Sequence, residues 1–184
     1  MPLRSPTFNA LFSLMGEMKP PLTIVETGTI RNHIESYAQG DGHSTLQFAK
    51  YVNNFGGEFY SVDIDPIAVV VSTMVCTRDY PQAMNKINII ESDSVIFLES
   101  FDKPIDVLYL DSANDANLIL NEAKAALPHL HPESIVLIDD CFCEELKKSY
   151  DIEKGDLVIP FLEEHGWVME VKEYQALFIH KDRF

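Results

Sequence analysis

The chain has 184 residues, 46% of them hydrophobic, which suits one compact domain with a substantial core. Its 14 Lys and Arg stand against 29 Asp and Glu, a formal net charge of −15 with no basic run, which argues against a nucleic-acid partner. No apolar run approaches the roughly 18–20 residues of a membrane span, and Cys76, Cys141 and Cys143 lack the spacing of a zinc site or a disulfide framework.

The opening "MPLRSPTFNALFSLMGEM" has an interrupted apolar patch and no clear cleavage site. Residues 1–20 therefore read as a helical extension of an intracellular, cytoplasmic protein, and 21–184 as its single domain. "LTIVET" reads as a strand. "STLQFAKYVNNF" reads as a helix with Leu46, Ala49 and Val52 on one face, capped by Ser44 or Thr45 and ended by Gly56-Gly57. "EFYSVD" is the next strand, after which Asp65 caps a helix that Pro66 opens. "INIIES" and "IDVLYLDS" are the third and fourth strands. Apolar positions from Ala116 to Leu130 keep a helical period, with Pro128 bending the last turn. "SIVLIDD" is the fifth strand, and after a polar segment "GWVMEVKEY" and "QALFIHK" close the chain as a strand pair. Strand–helix alternation with near-continuous apolar strands implies an α/β fold with a doubly wound, mostly parallel sheet of about seven strands covered on both faces.

Sheets of this kind bind ligands outside the carboxyl ends of their strands. The strand ends here are Glu26-Thr27-Gly28-Thr29, Asp63, Glu91-Ser92-Asp93, Asp111 and Asp139-Asp140, so every parallel strand finishes in a carboxylate. Any one of these acids also suits a helix cap, and Asp65 and Asp115 read as plain caps. A whole rim of like charge needs cations or hydroxyl donors to meet it. Gly28 lets the backbone approach a ligand, Asp63 is placed to accept ribose hydroxyls, Ser92-Asp93 to meet the edge of a base, and Glu26 to favour a cationic group. The first turn is ExG and not GxGxxG, which points to a ribonucleoside carrying an ammonium or sulfonium group in place of a dinucleotide. An NAD-dependent oxidoreductase and a non-catalytic binding module on the same fold are the competing readings.

In order and spacing, Glu26-x-Gly28, Asp63, Ser92-Asp93 and Asp111 resemble the successive motifs of class I S-adenosylmethionine-dependent methyltransferases, and "WVMEV" with "ALFIH" resembles their terminal reversed strand pair. A narrower likeness is to small bacterial O-methyltransferases in which "ETGT" and a later "DGxST" bracket a split loop, with "SVDID", "LYLDS" and "IDD" further on. The intervening "IRNHIESYAQ" then reads as an insertion, a lid over the donor. The resemblance implies S-adenosylmethionine as cofactor, held by Glu26, Thr27, Gly28, Thr29, Asp63, Ser92, Asp93 and Asp111. It also implies a small hydroxylated metabolite or sugar as acceptor. In metal-dependent relatives one Asp follows the fourth strand and an acidic pair the fifth. Asp111, Asp139 and Asp140 match those places, so they are the expected Mg²⁺ ligands and catalytic residues. A Lys expected as base three residues beyond Asp111 is here Asn114, leaving His33 and His43 as neighbouring candidates. His129 and His131 read as helix-end residues, and a homodimer is the expectation from base rates.

Overall fold

The computed structural model describes residues 4–32, 43–142 and 153–183. Among them are six helices and seven strands. In chain order these are α1 (Ser5–Glu17), β1 (Thr23–Thr27), α2 (Ser44–Phe55), β2 (Glu58–Asp63), α3 (Pro66–Asp79), β3 (Ile87–Glu91) and α4 (Ser94–Ser100). There follow β4 (Ile105–Leu110), α5 (Ala116–Ala126), β5 (Leu130–Ile138), α6 (Gly155–Glu164), β6 (Trp167–Lys172) and β7 (Ala176–His180). The strands form one sheet in the order β3-β2-β1-β4-β5-β7-β6, in which β7 alone runs against the others. The order reverses between β1 and β4, so a crevice opens at the carboxyl ends of those two strands.

Alternation along the strands feeds two cores. On β4, Val107 and Tyr109 face one side, where Phe8, Leu11 and Met15 of α1, Phe48 of α2 and Cys76 of α3 pack. Leu108 and Leu110 face the other side, with Leu98 of α4, Ile119 of α5 and Leu162 of α6. The N-terminal helix is thus part of the first core. It seats Phe8 against Tyr109 edge-on at 5.6 Å, and Phe48 of α2 meets both Tyr109 and Phe59 at 5.9 and 5.6 Å. No described helix is long and apolar enough to cross a membrane.

Local chemistry follows the sequence in most places and departs in three. Asp65 and Asp115 do cap their helices, accepting from the amides of Ile67 and of Asn117 and Leu118, and the helix ending at Ala126 passes into a short 3₁₀ turn that contains Pro128. Helix α2, however, is preceded by His43 in the left-handed region (φ +47°), and no side chain caps it, because the Ser44 and Thr45 hydroxyls turn inward. Helix α6 lies in a stretch that carries no clear periodic signal. Pro160 interrupts its hydrogen bonding, and burial of Val158 and Leu162 holds it in place. His131 belongs to β5, not to a helix end, and its ring meets Asp106 at 3.1 Å.

Phe48 is fully buried at the junction of α1, α2 and the sheet. Phe48→Ala is expected to cost about 3–5 kcal/mol in urea unfolding, with α1 loosened as its ring partner is lost.

Candidate active site

Gly28 ends β1 with φ +82°, and its amide donates to the Val62 carbonyl at 2.8 Å. A Cβ built there would overlap the carbonyl oxygen of Asp111, while the Asp111 amide donates back to Thr27 at 3.0 Å. The glycine is therefore demanded by the close approach of two strand ends. The turn it makes directs the Thr29 amide onto Asp63 Oδ2 at 3.0 Å, and the Asp65 amide reaches Asp63 Oδ1 at 2.9 Å. Each Asp63 oxygen keeps capacity for a second donor.

Above this turn lie two adjoining hollows that share Gly28, Asp63 and Ser112. One extends past Thr29, Arg31 and Asp111, the other past Ile64 and Asp93. Ile64 is 71% exposed beside them, an apolar flank for a flat ring. Asp93 lines the cleft, but its Oδ1 also caps α4 through the amides of Val95 and Ile96 at 2.9 and 3.1 Å. Ser92 lies next to it and donates to the Asp93 carbonyl at 3.1 Å. A larger hollow, about 520 Å³, lies elsewhere, between α1 and α2 against Phe12, Met15, Tyr51 and Phe55. It is lined by no carboxylate, whereas the smaller cleft is lined by Asp63, Asp93 and Asp111.

Glu26 and Thr27 precede Gly28 at the end of β1 and are buried. Glu26 is 1% exposed, and its oxygens accept from Ser44, Thr45 and Ser61. Burial pushes its carboxyl up to about 7, against the pull of those hydroxyl hydrogen bonds. Thr27 turns to the opposite face of the sheet and donates to Glu122, which also accepts from Ser94. Glu122 escaped the strand-end reading because it sits on α5, although Ile119, Ala123 and Ala126 mark that helix face as the buried one.

Asp111, Asp139 and Asp140 do converge, one oxygen of each lying within 4.8 Å of the others. Two cationic side chains already occupy them. Arg4 Nε lies 2.9 Å from both oxygens of Asp139, and its Nη2 donates to Asp139 Oδ2 at 2.7 Å and to Asp140 Oδ1 at 3.0 Å. Lys154 Nζ donates to Asp111 Oδ1 at 3.1 Å, Tyr109 to Asp111 Oδ2 at 3.2 Å, and Gln175 to Asp139 Oδ1 at 2.7 Å. Asp139 is fully buried under these donors. Burial would raise its carboxyl, but the Arg4 hydrogen bonds and charge hold it below the ordinary range. Asp111 is raised instead, by burial and by the Asp139 charge, with Lys154 opposing. Burial works against the Lys154 ammonium, and the three carboxylates outweigh it.

Nothing in the sequence links Arg4 or Lys154 to these acids, and both were missed. Asp140 adopts φ +53°, uncommon outside glycine, at the same corner. Of the remaining candidates, His43 precedes α2 and Asn114 follows β4, whereas His33, Cys143, most of the expected lid and Gly40-Asp41-Gly42 of the split loop fall outside the described residues. The thiols of Cys76 and Cys141 are buried and pushed up to about 12, which makes them poor nucleophiles.

A family model described as a methyltransferase domain matches residues 39–141, more than half of the 184. The chain belongs to this family. No curated protein matches it in sequence. Among solved structures, the methyltransferase is similar to PaMTH1 of Podospora anserina, crystallised with S-adenosylhomocysteine, at 15% identity over 94% of this chain and 76% of that one (TM-score 0.65). It is similar also to CalS11, a TDP-rhamnose 3′-O-methyltransferase of calicheamicin biosynthesis, at 14% identity over 98% and 82% (TM-score 0.64). NodS, an N-methyltransferase of Bradyrhizobium japonicum WM9, matches at 13% identity over 97% of both chains (TM-score 0.64). The likeness to class I S-adenosylmethionine-dependent methyltransferases drawn from the motif order holds, and the shared architecture is the Rossmann-like sheet with its reversed strand.

The raised Glu26 carboxyl makes a pH prediction. The folded protein holds this proton up to about pH 7, whereas the unfolded chain releases it near 4.5. The stability it contributes is present below the lower value and lost as pH rises through the higher. Relative to Glu26→Gln, the wild type is expected to lose about 3 kcal/mol between pH 4 and pH 8, read from urea unfolding of both proteins at each pH.

Proposed function

We propose that this methyltransferase carries a methyl group from S-adenosylmethionine to a hydroxyl of a small metabolite or sugar. The observation that carries the reading is the joint placement of Gly28, Asp63 and Asp111 around one cleft, at the point where the strand order reverses. Asp63 would take the two ribose hydroxyls of the donor on its free lone pairs. Ile64 would flank the base, with Ser92 and Asp93 near its polar edge, and the Gly28-Thr29 turn would meet the amino-acid end. Glu26 and Thr27 act from beneath, by fixing the start of α2 and the wall formed by Ser94. When bound, this donor supplies a methyl group on positively charged sulfur, a carbon already activated toward displacement.

The chain's own task is then alignment of the acceptor and acceptance of its proton. Asp111 is the carboxylate on the cleft wall, with Asp140 within reach of it and Asp139 fixed behind. The known activity of CalS11 on a sugar hydroxyl supports oxygen as the accepting atom.

The donor assignment is tested by calorimetric titration with S-adenosylhomocysteine. Asp63→Ala is expected to weaken binding about 10–100-fold, and Asp63→Asn by less, since charge-assisted hydrogen bonds contribute roughly 1.5–3 kcal/mol. Equal affinity in all three proteins would remove Asp63 from the donor site.

A further inference from the structure

We infer that Arg4 and Lys154 take the place of a divalent cation at the ends of β4 and β5, so that this methyltransferase keeps its carboxylate cluster assembled without metal. Three convergent acids, Asp111, Asp139 and Asp140, offer the oxygen donors that a hard ion such as Mg²⁺ requires. The donor set does not fit that ion as it stands. Asp139 gives both oxygens to the Arg4 guanidinium, Asp140 Oδ1 accepts from the same group, and Asp111 Oδ1 accepts from Lys154. Three negative charges against two positive ones leave a formal −1. A dication entering there would turn this into +1 and bring it against two fixed cations.

Neither cation is a mobile surface group. The side chains of Arg4 and Lys154 are 8% and 2% exposed. Arg4 sits at the head of α1, whose Phe8 and Leu11 are locked in the core, and its guanidinium lies 4.8 Å from the centre of the Tyr174 ring. Lys154 sits at the head of α6, anchored by Val158 and Leu162. Each cation is therefore delivered by a packed helix, and withdrawing it would leave buried carboxylates uncompensated, the costly outcome for a buried ion pair. A planar fork on Asp139 also fixes the orientation of that carboxylate as a metal would. Arg4 is in this account a positioning residue.

The inference stands on the carboxylate geometry and is independent of the donor assignment, so one can fail while the other holds. Its test is Mn²⁺ binding followed by electron paramagnetic resonance, a readout that needs no acceptor. Wild-type protein is expected to leave the free Mn²⁺ signal unchanged, and its melting temperature is expected to be the same in Mg²⁺ and in EDTA. Arg4→Ala, one cation short, is expected to bind one Mn²⁺ at least about tenfold more tightly than wild type, because one of the two fixed cations is gone, and to lose it again when Asp140→Asn is added. Should Arg4→Ala fail to fold, Lys154→Met carries the same expectation at Asp111. Stoichiometric Mn²⁺ binding by the wild type that disappears in Asp140→Asn would overturn the inference. So would a folded cation-deficient variant that takes up no metal.

Discussion

Carboxylates gathered at one end of a parallel sheet repel one another, and each must find a donor before the sheet can close. This protein meets that constraint in three ways. Hydroxyls satisfy Glu26 and Glu122 on the two faces beneath the rim. Backbone amides satisfy Asp63 and Asp93, which sit where the chain turns into the next element. Side-chain cations satisfy Asp111, Asp139 and Asp140. Each solution recruits an element that would otherwise be only packed against the sheet. Ser44 and Thr45 bring the head of α2 to β1, Ser94 brings α4 to α5, and Arg4 and Lys154 bring α1 and α6 to the ends of β4 and β5.

The same arrangement separates the parts of the site that carry the floor from those that face a ligand. Carboxylates whose oxygens are covered by neutral hydroxyls are fully buried, which is tolerable only because each is hydrogen-bonded. Asp63 is held by two amides that leave lone pairs open toward the cleft, so it is oriented and still able to bind. Gly28 joins the two halves. Only a residue without Cβ can stand so close to the Asp111 backbone, and that closeness puts Asp63 and Asp111 on walls of one crevice.

Much of this was legible in the sequence, because parallel strands buried on both faces announce themselves as apolar runs and their ends follow directly. The succession of strands along the chain, the caps at Asp65 and Asp115 and the closing pair are legible from local pattern, whereas the order of strands in the sheet is not. The hydroxyls that cover Glu26 are not legible in the sequence, since they lie 18 or more residues away and Ser44 and Thr45 look like ordinary caps. Asp93 reads equally well as cap and as ligand in a sequence, and the structure uses its Oδ1 as a cap. Helix α6 was hidden by Pro160. Arg4 reaches Asp139 across 135 residues, and no periodicity or motif encodes such a contact. An acidic triad read from strand ends therefore looks like a metal site until its partners from two distant helices are seen.

The account turns on the claim that the cleft at the β1–β4 reversal is the donor site. A crystal structure with S-adenosylhomocysteine tests it most directly. The expected result is nucleoside density lying across the Gly28 turn, with the ribose hydroxyls on Asp63, the base beside Ile64, and the Arg4 and Lys154 contacts to the three acids intact. Nucleoside density in the apolar hollow between α1 and α2, or a ribose whose hydroxyls avoid Asp63, would contradict it.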